Sequence, residues 1–159
     1  NLGVSASAGL SVPHHPLRHG DRIEVGDVTL DVLETPGHTQ GCLSFYLPDR
    51  EAPAVFTGDA LLVRTCGRTD FQGGDAGALY RSIQTHLFGL PDRTIVYPGH
   101  DYTGRLSSTI GEERVWNRRI GANTSQPEFE ATMAALRLPP PRRIDVAVPA
   151  NLRGGRFEP

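Results

Sequence analysis

Hydrophobic and polar residues alternate along the first half of the chain as β-strands require. Residues 21–34 place apolar side chains at every second position on both sides of a central turn, which predicts a β-hairpin. Shorter apolar runs at 42–47 and 52–58, separated by a polar turn, predict two more strands. A similar run at 93–101 predicts a fifth strand.

The spacing becomes helical in later segments. Apolar side chains recur every four residues within 75–90, which predicts an amphipathic helix. A Ser or Thr stands three residues before a Glu, as in a capping box, ahead of 113–121 and again ahead of 129–138, and both segments are predicted helices. The tail at 142–159 holds one apolar stretch that we expect to be extended. Strands followed by helices indicate an α/β (α+β) domain with helices packed on a sheet.

Composition narrows the class of protein. The chain has 159 residues, enough for one domain, and a net charge of −2 that provides no basic patch for nucleic acid or an anionic membrane. No stretch approaches the roughly 18–20 apolar residues of a membrane span. The two cysteines, Cys42 and Cys66, lack disulfide-framework spacing, and every basic residue is Arg, as a GC-rich genome favours. We therefore expect a bacterial cytoplasmic protein with neither nucleic acid nor a membrane as its partner.

Three predicted strands end on a polar side chain beside a glycine. The strings TPGH, FTGD and YPGH deliver His38, Asp59 and His100. Such a turn holds a side chain at one edge of a sheet, where sites are commonly built. Any one of these residues alone would be read as a turn former or a structural histidine. Together, two imidazoles and a carboxylate suit zinc or iron(II), so the pattern predicts a shared metal site.

The longer strings around these residues resemble a known superfamily. TPGHTQGC, FTGDALLVRTCGRTDFQGG and YPGHDYTG together are similar to the metallo-β-lactamase superfamily and, within it, to the persulfide dioxygenase (ETHE1-like sulfur dioxygenase) family. CGRTDFQGG is the most specific of them. The resemblance implies the C-terminal portion of an αββα sandwich, with 1–159 as a single partial domain. Its expected parts are a leading loop at 1–20, the metal-site strands and helix at 21–104, and C-terminal helices and a tail at 105–159.

The resemblance also assigns metal ligands. It implies that His38 and Asp59 are two of three ligands of one iron(II), with zinc as the alternative metal. The third would be the first His of an H-x-H-x-D-H motif, and this sequence contains no H-x-H, so we expect the N-terminal third of the domain to be missing. His100 ranks below the other two, as a pocket residue in a one-metal site or a ligand in a two-metal site. Three histidines of the leading loop are poor substitutes because prolines break that loop: His14, His15 and His19.

Two further side chains are candidates for contact with substrate. The Arg68 fork would match a carboxylate of a glutathione-like substrate, although the same fork would equally tie down its own loop through Asp70. The hydroxyl of Tyr102, two residues after His100, would reach bound substrate or oxygen; the alternative is a packing tyrosine. Cys66 has no basic partner nearby in the sequence, so we expect a buried or pocket-lining thiol rather than a nucleophile.

The function implied by the resemblance is an iron(II)-dependent dioxygenase that converts glutathione persulfide and O₂ to sulfite and glutathione. His38, Asp59 and Tyr102 would be its catalytic residues, and Arg68, Tyr102 and His100 would contact the substrate. Two alternatives stay open: a zinc-dependent thioester hydrolase of the glyoxalase II kind, and an inactive fragment or binding module. A homodimer and a rhodanese domain fused in the parent protein are also left open.

Overall fold

A six-stranded sheet is the central element of the computed structural model, which describes residues 3–71, 73–121 and 123–155. Its strands are β3 (Arg22–Val25), β4 (Val28–Glu34), β5 (Leu43–Leu47), β6 (Ala54–Gly58), β9 (Ile95–Pro98) and β10 (Ser108–Thr109). Their order across the sheet is β10-β9-β6-β5-β4-β3. The predicted hairpin at 21–34 is confirmed as the antiparallel pair β3–β4, and the other three predicted strands are confirmed as β5, β6 and β9.

Strand direction brings three strand ends to one edge of this sheet. β4, β5 and β6 form an antiparallel meander, so β4 and β6 run in the same direction. β9 lies parallel to β6, a pairing that the helical crossover between the two strands makes possible. The carboxyl ends of β4, β6 and β9 therefore point to the same edge, and each predicted site residue follows one of these ends.

One helix packs across the sheet and forms the crossover. Helix α1 (Ala76–Ser82) continues directly as a π-helical turn (Ile83–Leu87). Asp75 caps its start by accepting a hydrogen bond from the Ala78 amide at 2.8 Å. The predicted apolar stripe is confirmed, since its three side chains are fully buried in a core that also contains residues of β6 and β9: Leu79, Ile83, Leu87, Val55 and Val96.

Short elements complete the first two thirds of the chain. Strands β1 (Gly3–Ser5) and β2 (His15–Leu17) pair in parallel, so the segment expected to be a loop contains a small ribbon. Strands β7 (Leu61–Leu62) and β8 (Thr65–Cys66) form a tight antiparallel hairpin just after β6. On the face of the sheet away from α1, Phe56 and Tyr97 stack with ring centroids 5.5 Å apart and stay partly exposed.

The two predicted C-terminal helices exist. α2 (Ile110–Trp116) starts and ends earlier than predicted. Thr109 caps it by accepting from the Glu112 amide at 3.1 Å, and the chain leaves the helix at Asn117. α3 (Gln126–Ala135) begins with the predicted capping box of Ser125 and Glu128.

The expectation of an extended tail is wrong, because Ile144–Leu152 form helix α4. Alternating Ile and Val side chains imitate a strand, but a strand needs a neighbour for its backbone groups, whereas a helix satisfies them internally. The helix is established by the Ala147 amide, which donates to the Arg143 carbonyl at 2.8 Å, and it accommodates Pro149. Within the described ranges, no helix is both long and apolar enough to cross a membrane.

Candidate metal centre

The structure brings His38, Asp59 and His100 together at the sheet edge. Nε2 of His38 lies 3.5 Å from Oδ2 of Asp59, and Nδ1 of His100 lies 2.6 Å from Oδ1 of the same carboxylate. The side chains of His38 and Asp59 are 16% and 23% exposed, whereas that of His100 is 58% exposed. Asp59 is therefore the middle member of the group, with a sheltered histidine on one side and a more open one on the other.

Glycines allow the chain to pack this closely. Gly37, just before His38, has φ 138°, and a Cβ there would lie 2.3 Å from the Leu79 backbone nitrogen. A Cβ on Gly67 would lie 2.1 Å from the Asp59 carbonyl oxygen and 2.9 Å from Nδ1 of His38. The helix α1 and the segment after β8 can approach the two site residues only because these positions carry no side chain.

The ring of His38 is oriented by a backbone carbonyl. Its Nδ1 donates to the carbonyl oxygen of Arg68 at 2.7 Å. A carbonyl can only accept, so Nδ1 carries a proton in this contact, and Nε2 is the ring nitrogen that faces Asp59. Histidines that bind metals are commonly held in this way, by a partner on the other ring nitrogen.

The donor atoms of His38 and Asp59 fit a shared metal ion. Two ligand atoms each about 2.0–2.2 Å from one ion lie roughly 3–3.5 Å apart, and 3.5 Å separates Nε2 from Oδ2. The 2.6 Å separation at His100 is a hydrogen-bond distance, so His100 holds the second oxygen of Asp59. No third ligand completes the set among residues 3–71, 73–121 and 123–155, where no group of three His, Cys, Asp or Glu side chains is arranged to hold a metal ion.

Arg68 ties its own loop to the chain after α3. Its Nε and Nη2 both donate to the Asp70 carboxylate at 2.6 Å, and Nη1 donates to the Pro139 carbonyl at 2.8 Å. The hydrogen bond to Asp70 raises the pKa of the guanidinium and lowers the pKa of the Asp70 carboxyl. The guanidinium also lies over the Phe71 ring, 4.6 Å from its centroid. The structure shows the loop-tying role, and contact with substrate stays a prediction.

Tyr102 and Cys66 have opposite environments. Tyr102 is 75% exposed and stacks on His100 with ring centroids 6.0 Å apart, so it lies at the open rim of the site. Cys66 is 2% exposed, with its Sγ 3.9 Å from Sδ of Met133, and burial raises the pKa of its thiol to about 11. Of the expected alternatives, a buried or a pocket-lining thiol, the structure shows that Cys66 is buried.

The leading histidines have other partners. His14 Nδ1 lies 2.9 Å from the Val12 carbonyl oxygen, and the His19 ring contacts the ring of His86 with centroids 4.6 Å apart. His15 lies within β2.

Sequence reasoning missed the groups behind the site. The Arg68 carbonyl and Gly67 act through the backbone, which residue types do not reveal. The buried Glu113 had one detectable sign: Ile110, Glu113 and Asn117 share a helical spacing whose other members face the core.

Several known proteins match this chain in sequence. A sequence model of the metallo-β-lactamase superfamily matches residues 6–100, more than half of the chain. The human mitochondrial persulfide dioxygenase ETHE1 is 46% identical over 152 residues, which is 96% of this chain and 58% of that protein. The chain thus spans little more than half the length of this curated relative.

Solved structures extend the likeness. The crystal structure of ETHE1 from Myxococcus xanthus superposes with a TM-score of 0.89 at 50% identity, covering 97% of this chain and 66% of that one. TTHA1623, solved in a di-iron-bound form, matches with a TM-score of 0.57 at 36% identity over 67% of this chain and 48% of its own. By sequence match and by fold, the chain belongs to the metallo-β-lactamase superfamily, whose members use a metal cofactor.

Proposed function

We propose that the protein is an iron(II)-dependent persulfide dioxygenase. The reaction converts glutathione persulfide, O₂ and water to glutathione, sulfite and two protons. The observation that carries this proposal is the likeness, over nearly the whole chain, to enzymes named persulfide dioxygenase. Because the described residues supply two metal ligands, the activity requires a third ligand from elsewhere in the protein.

His38 and Asp59 would hold the metal. Iron(II), when bound with open positions, supplies the redox chemistry that activates O₂. The chain's part is to fix the two donors: the Arg68 carbonyl accepts from Nδ1 of His38 and turns Nε2 toward Asp59, and His100 donates to Oδ1 of Asp59 so that Oδ2 faces His38. These two hydrogen bonds favour the proposed ligand geometry before any metal binds.

The rim of the site would seat the substrate. The exposed Tyr102 hydroxyl and the His100 ring line its open side. Contacts with described residues use four of the five N–H bonds of Arg68, which leaves one for a carboxylate of glutathione.

We also propose a cytoplasmic location for the protein. Cys42 and Cys66 are free thiols, which supports a reducing, cytoplasmic location. A homodimer and a fused rhodanese domain stay predictions.

One observation favours a second candidate. His100 lies so close to Asp59 that a modest rotation would let both bind a second ion, as a zinc thioester hydrolase of the glyoxalase II kind would need. In that enzyme a metal-bound water would be the nucleophile, and no O₂ would be consumed.

The two functions differ in metal content and in oxygen uptake. The protein would be loaded anaerobically with Fe(II) or Zn(II), and its metal content, O₂ consumption with glutathione persulfide and hydrolysis of S-lactoylglutathione would be measured. We expect one iron per chain and one sulfite formed per O₂ consumed. His38→Ala and Asp59→Ala should lose both the bound iron and the formation of sulfite. His15→Ala, which removes an exposed histidine in β2, is the matched control and should behave as wild type.

The possible outcomes distinguish the dioxygenase, the thioester hydrolase and the binding module. Two zinc ions per chain with thioester hydrolysis would overturn the dioxygenase in favour of the hydrolase. A folded protein that includes the third ligand and still takes up neither metal would overturn both and support the binding module.

A further inference from the structure

A buried carboxylate lies behind the site and has no part in the chemistry described so far. Glu113, on α2, is fully buried. Its Oε1 accepts from Nη1 of Arg64 at 2.6 Å, and its Oε2 accepts from the Arg64 amide and from Nδ2 of Asn117, both at 2.8 Å. A buried charge is costly unless it is paired and hydrogen-bonded, and here every partner comes from two residues.

Arg64 is held in an unusual backbone conformation. It has φ 62° and is the one non-glycine residue with positive φ in the described ranges 3–71, 73–121 and 123–155. Non-glycine residues rarely adopt this conformation unless their surroundings impose it. Both the amide and the guanidinium of Arg64 point to the same carboxylate, so Glu113 supplies that constraint at the turn of the β7–β8 hairpin.

The hairpin leads directly to the two proposed metal ligands. One residue after β8, the Gly67 amide donates to the Asp59 carbonyl at 2.9 Å. The next residue, Arg68, offers the carbonyl that accepts from Nδ1 of His38. A shift of the hairpin would therefore move the backbone partners of both His38 and Asp59.

The end of α2 reinforces the same connection. Nδ2 of Asn117 also donates to the Thr65 carbonyl at 2.9 Å, and Nη1 of Arg119 donates to the Cys66 carbonyl at 3.1 Å. Both acceptors lie on β8, immediately before Gly67. Successive carbonyls of this strand are thus held by the segment that directly follows the helix carrying Glu113.

We infer that Glu113, acting through Arg64, is a positioning residue for the metal ligands His38 and Asp59. Glu113 fixes the conformation of the β7–β8 turn, and that turn fixes the positions of Gly67 and Arg68. The backbone groups of these two residues in turn hold the Asp59 carbonyl and the His38 ring in place. The inference rests on the metal-binding roles proposed above. Glu113 touches neither ligand, so its effect must appear as altered geometry at His38.

The alternative is that Glu113 stabilises the fold without controlling the site, and the hydrogen bond of His38 distinguishes the two. In the ¹⁵N-labelled chain without metal, above the pH at which imidazole protonates, long-range ¹H–¹⁵N spectra report which ring nitrogen carries the proton. Glu113→Asp keeps the charge but withdraws it by one methylene. The double variant Arg64→Ala/Glu113→Gln removes both charges together and leaves no uncompensated buried ion.

Glu112→Gln is the matched control. Glu112 is the adjacent residue and also contacts the Arg64 guanidinium, at 3.1 Å, but its side chain is 51% exposed. Urea unfolding and core methyl spectra establish that each variant is folded.

The inference predicts a change at His38 in folded protein. In Glu113→Asp, we expect exchange of the His38 Nδ1 proton with water to rise about five- to tenfold, the factor by which one net hydrogen bond shifts a local equilibrium. A second tautomer with the proton on Nε2 should appear, while Glu112→Gln matches wild type. If Glu113→Asp does not fold, the double variant gives the decision, because alanine at position 64 still adopts φ 62° only where its surroundings impose it.

A folded variant with unchanged His38 resonances would overturn the inference. So would a Glu112→Gln protein that changes His38 as much as Glu113→Asp does. Neither measurement needs metal or turnover, so failure of the dioxygenase proposal and failure of this inference are separate outcomes.

Discussion

Adding one methyl group at Gly67 should disrupt the site in proportion to the space that is missing. A Cβ there would lie 2.1 Å from the Asp59 carbonyl oxygen, and such contacts are essentially never below 3.0 Å, so the backbone must move by 3.0 − 2.1 = 0.9 Å or more. That movement breaks the hydrogen bond from the Gly67 amide to the same oxygen, now 2.9 Å long. One lost hydrogen bond and the overpacking together should cost about 2–4 kcal/mol of unfolding free energy.

Urea unfolding measures this loss, and a thermal scan should show Tm lowered by about 5–15 °C. Gly104→Ala is the control, because nothing lies within 4 Å of its Cβ and it pays only the strain of φ 76°, about 1 kcal/mol. Gly67→Ala should also weaken metal binding, since His38 Nδ1 lies 2.9 Å from the same Cβ. A Gly67→Ala protein no less stable than Gly104→Ala would refute this account of the site.

Three further predictions follow from individual side chains. With a pKa of about 11, Cys66 should be about one part in a thousand thiolate at pH 8, so mass spectrometry should find it alkylated by iodoacetamide only after unfolding. Arg68→Lys cannot reproduce the two-point contact with Asp70, so limited proteolysis after α3 should quicken, and an unchanged cleavage rate would contradict the loop-tying role. The Ser108 hydroxyl and then Arg64 lower the pKa of Glu112, so its stabilising contribution is present above the unfolded-state pKa and is lost as pH falls through the folded-state value. The difference in unfolding free energy between wild type and Glu112→Gln should therefore shrink to nothing on acidification in a pH series of urea titrations.

The sheet and its edge could be read from the sequence because local rules decide them. Alternation fixes the strands of 21–34, and a Pro-Gly or Gly turn ends the strands before His38, Asp59 and His100. Convergence of the three residues then follows from strand direction, because the helical crossover allows β9 to run parallel to β6.

Features that depend on distant partners could not be read in the same way. The tail was mistaken for a strand because periodicity does not tell whether a neighbouring strand exists for Ile144–Leu152. The positive φ of Arg64 and the buried charge of Glu113 are explained by the contact between the two residues. That contact joins positions 49 residues apart in sequence. Arg68 allowed two roles from its type alone, and its contacts with Asp70 and Pro139 identify the structural one.

The parallel pairing of β6 with β9 also bears on the order in which the site assembles during folding. The meander from β3 to β6 pairs strands that are neighbours in sequence, so its loop-closure cost is small. β9 joins β6 only after the whole α1 crossover has been ordered, and such non-local pairing is slow. We therefore expect His38 and Asp59 to approach each other early and the hydrogen bond from His100, 41 residues further along, to close the site last.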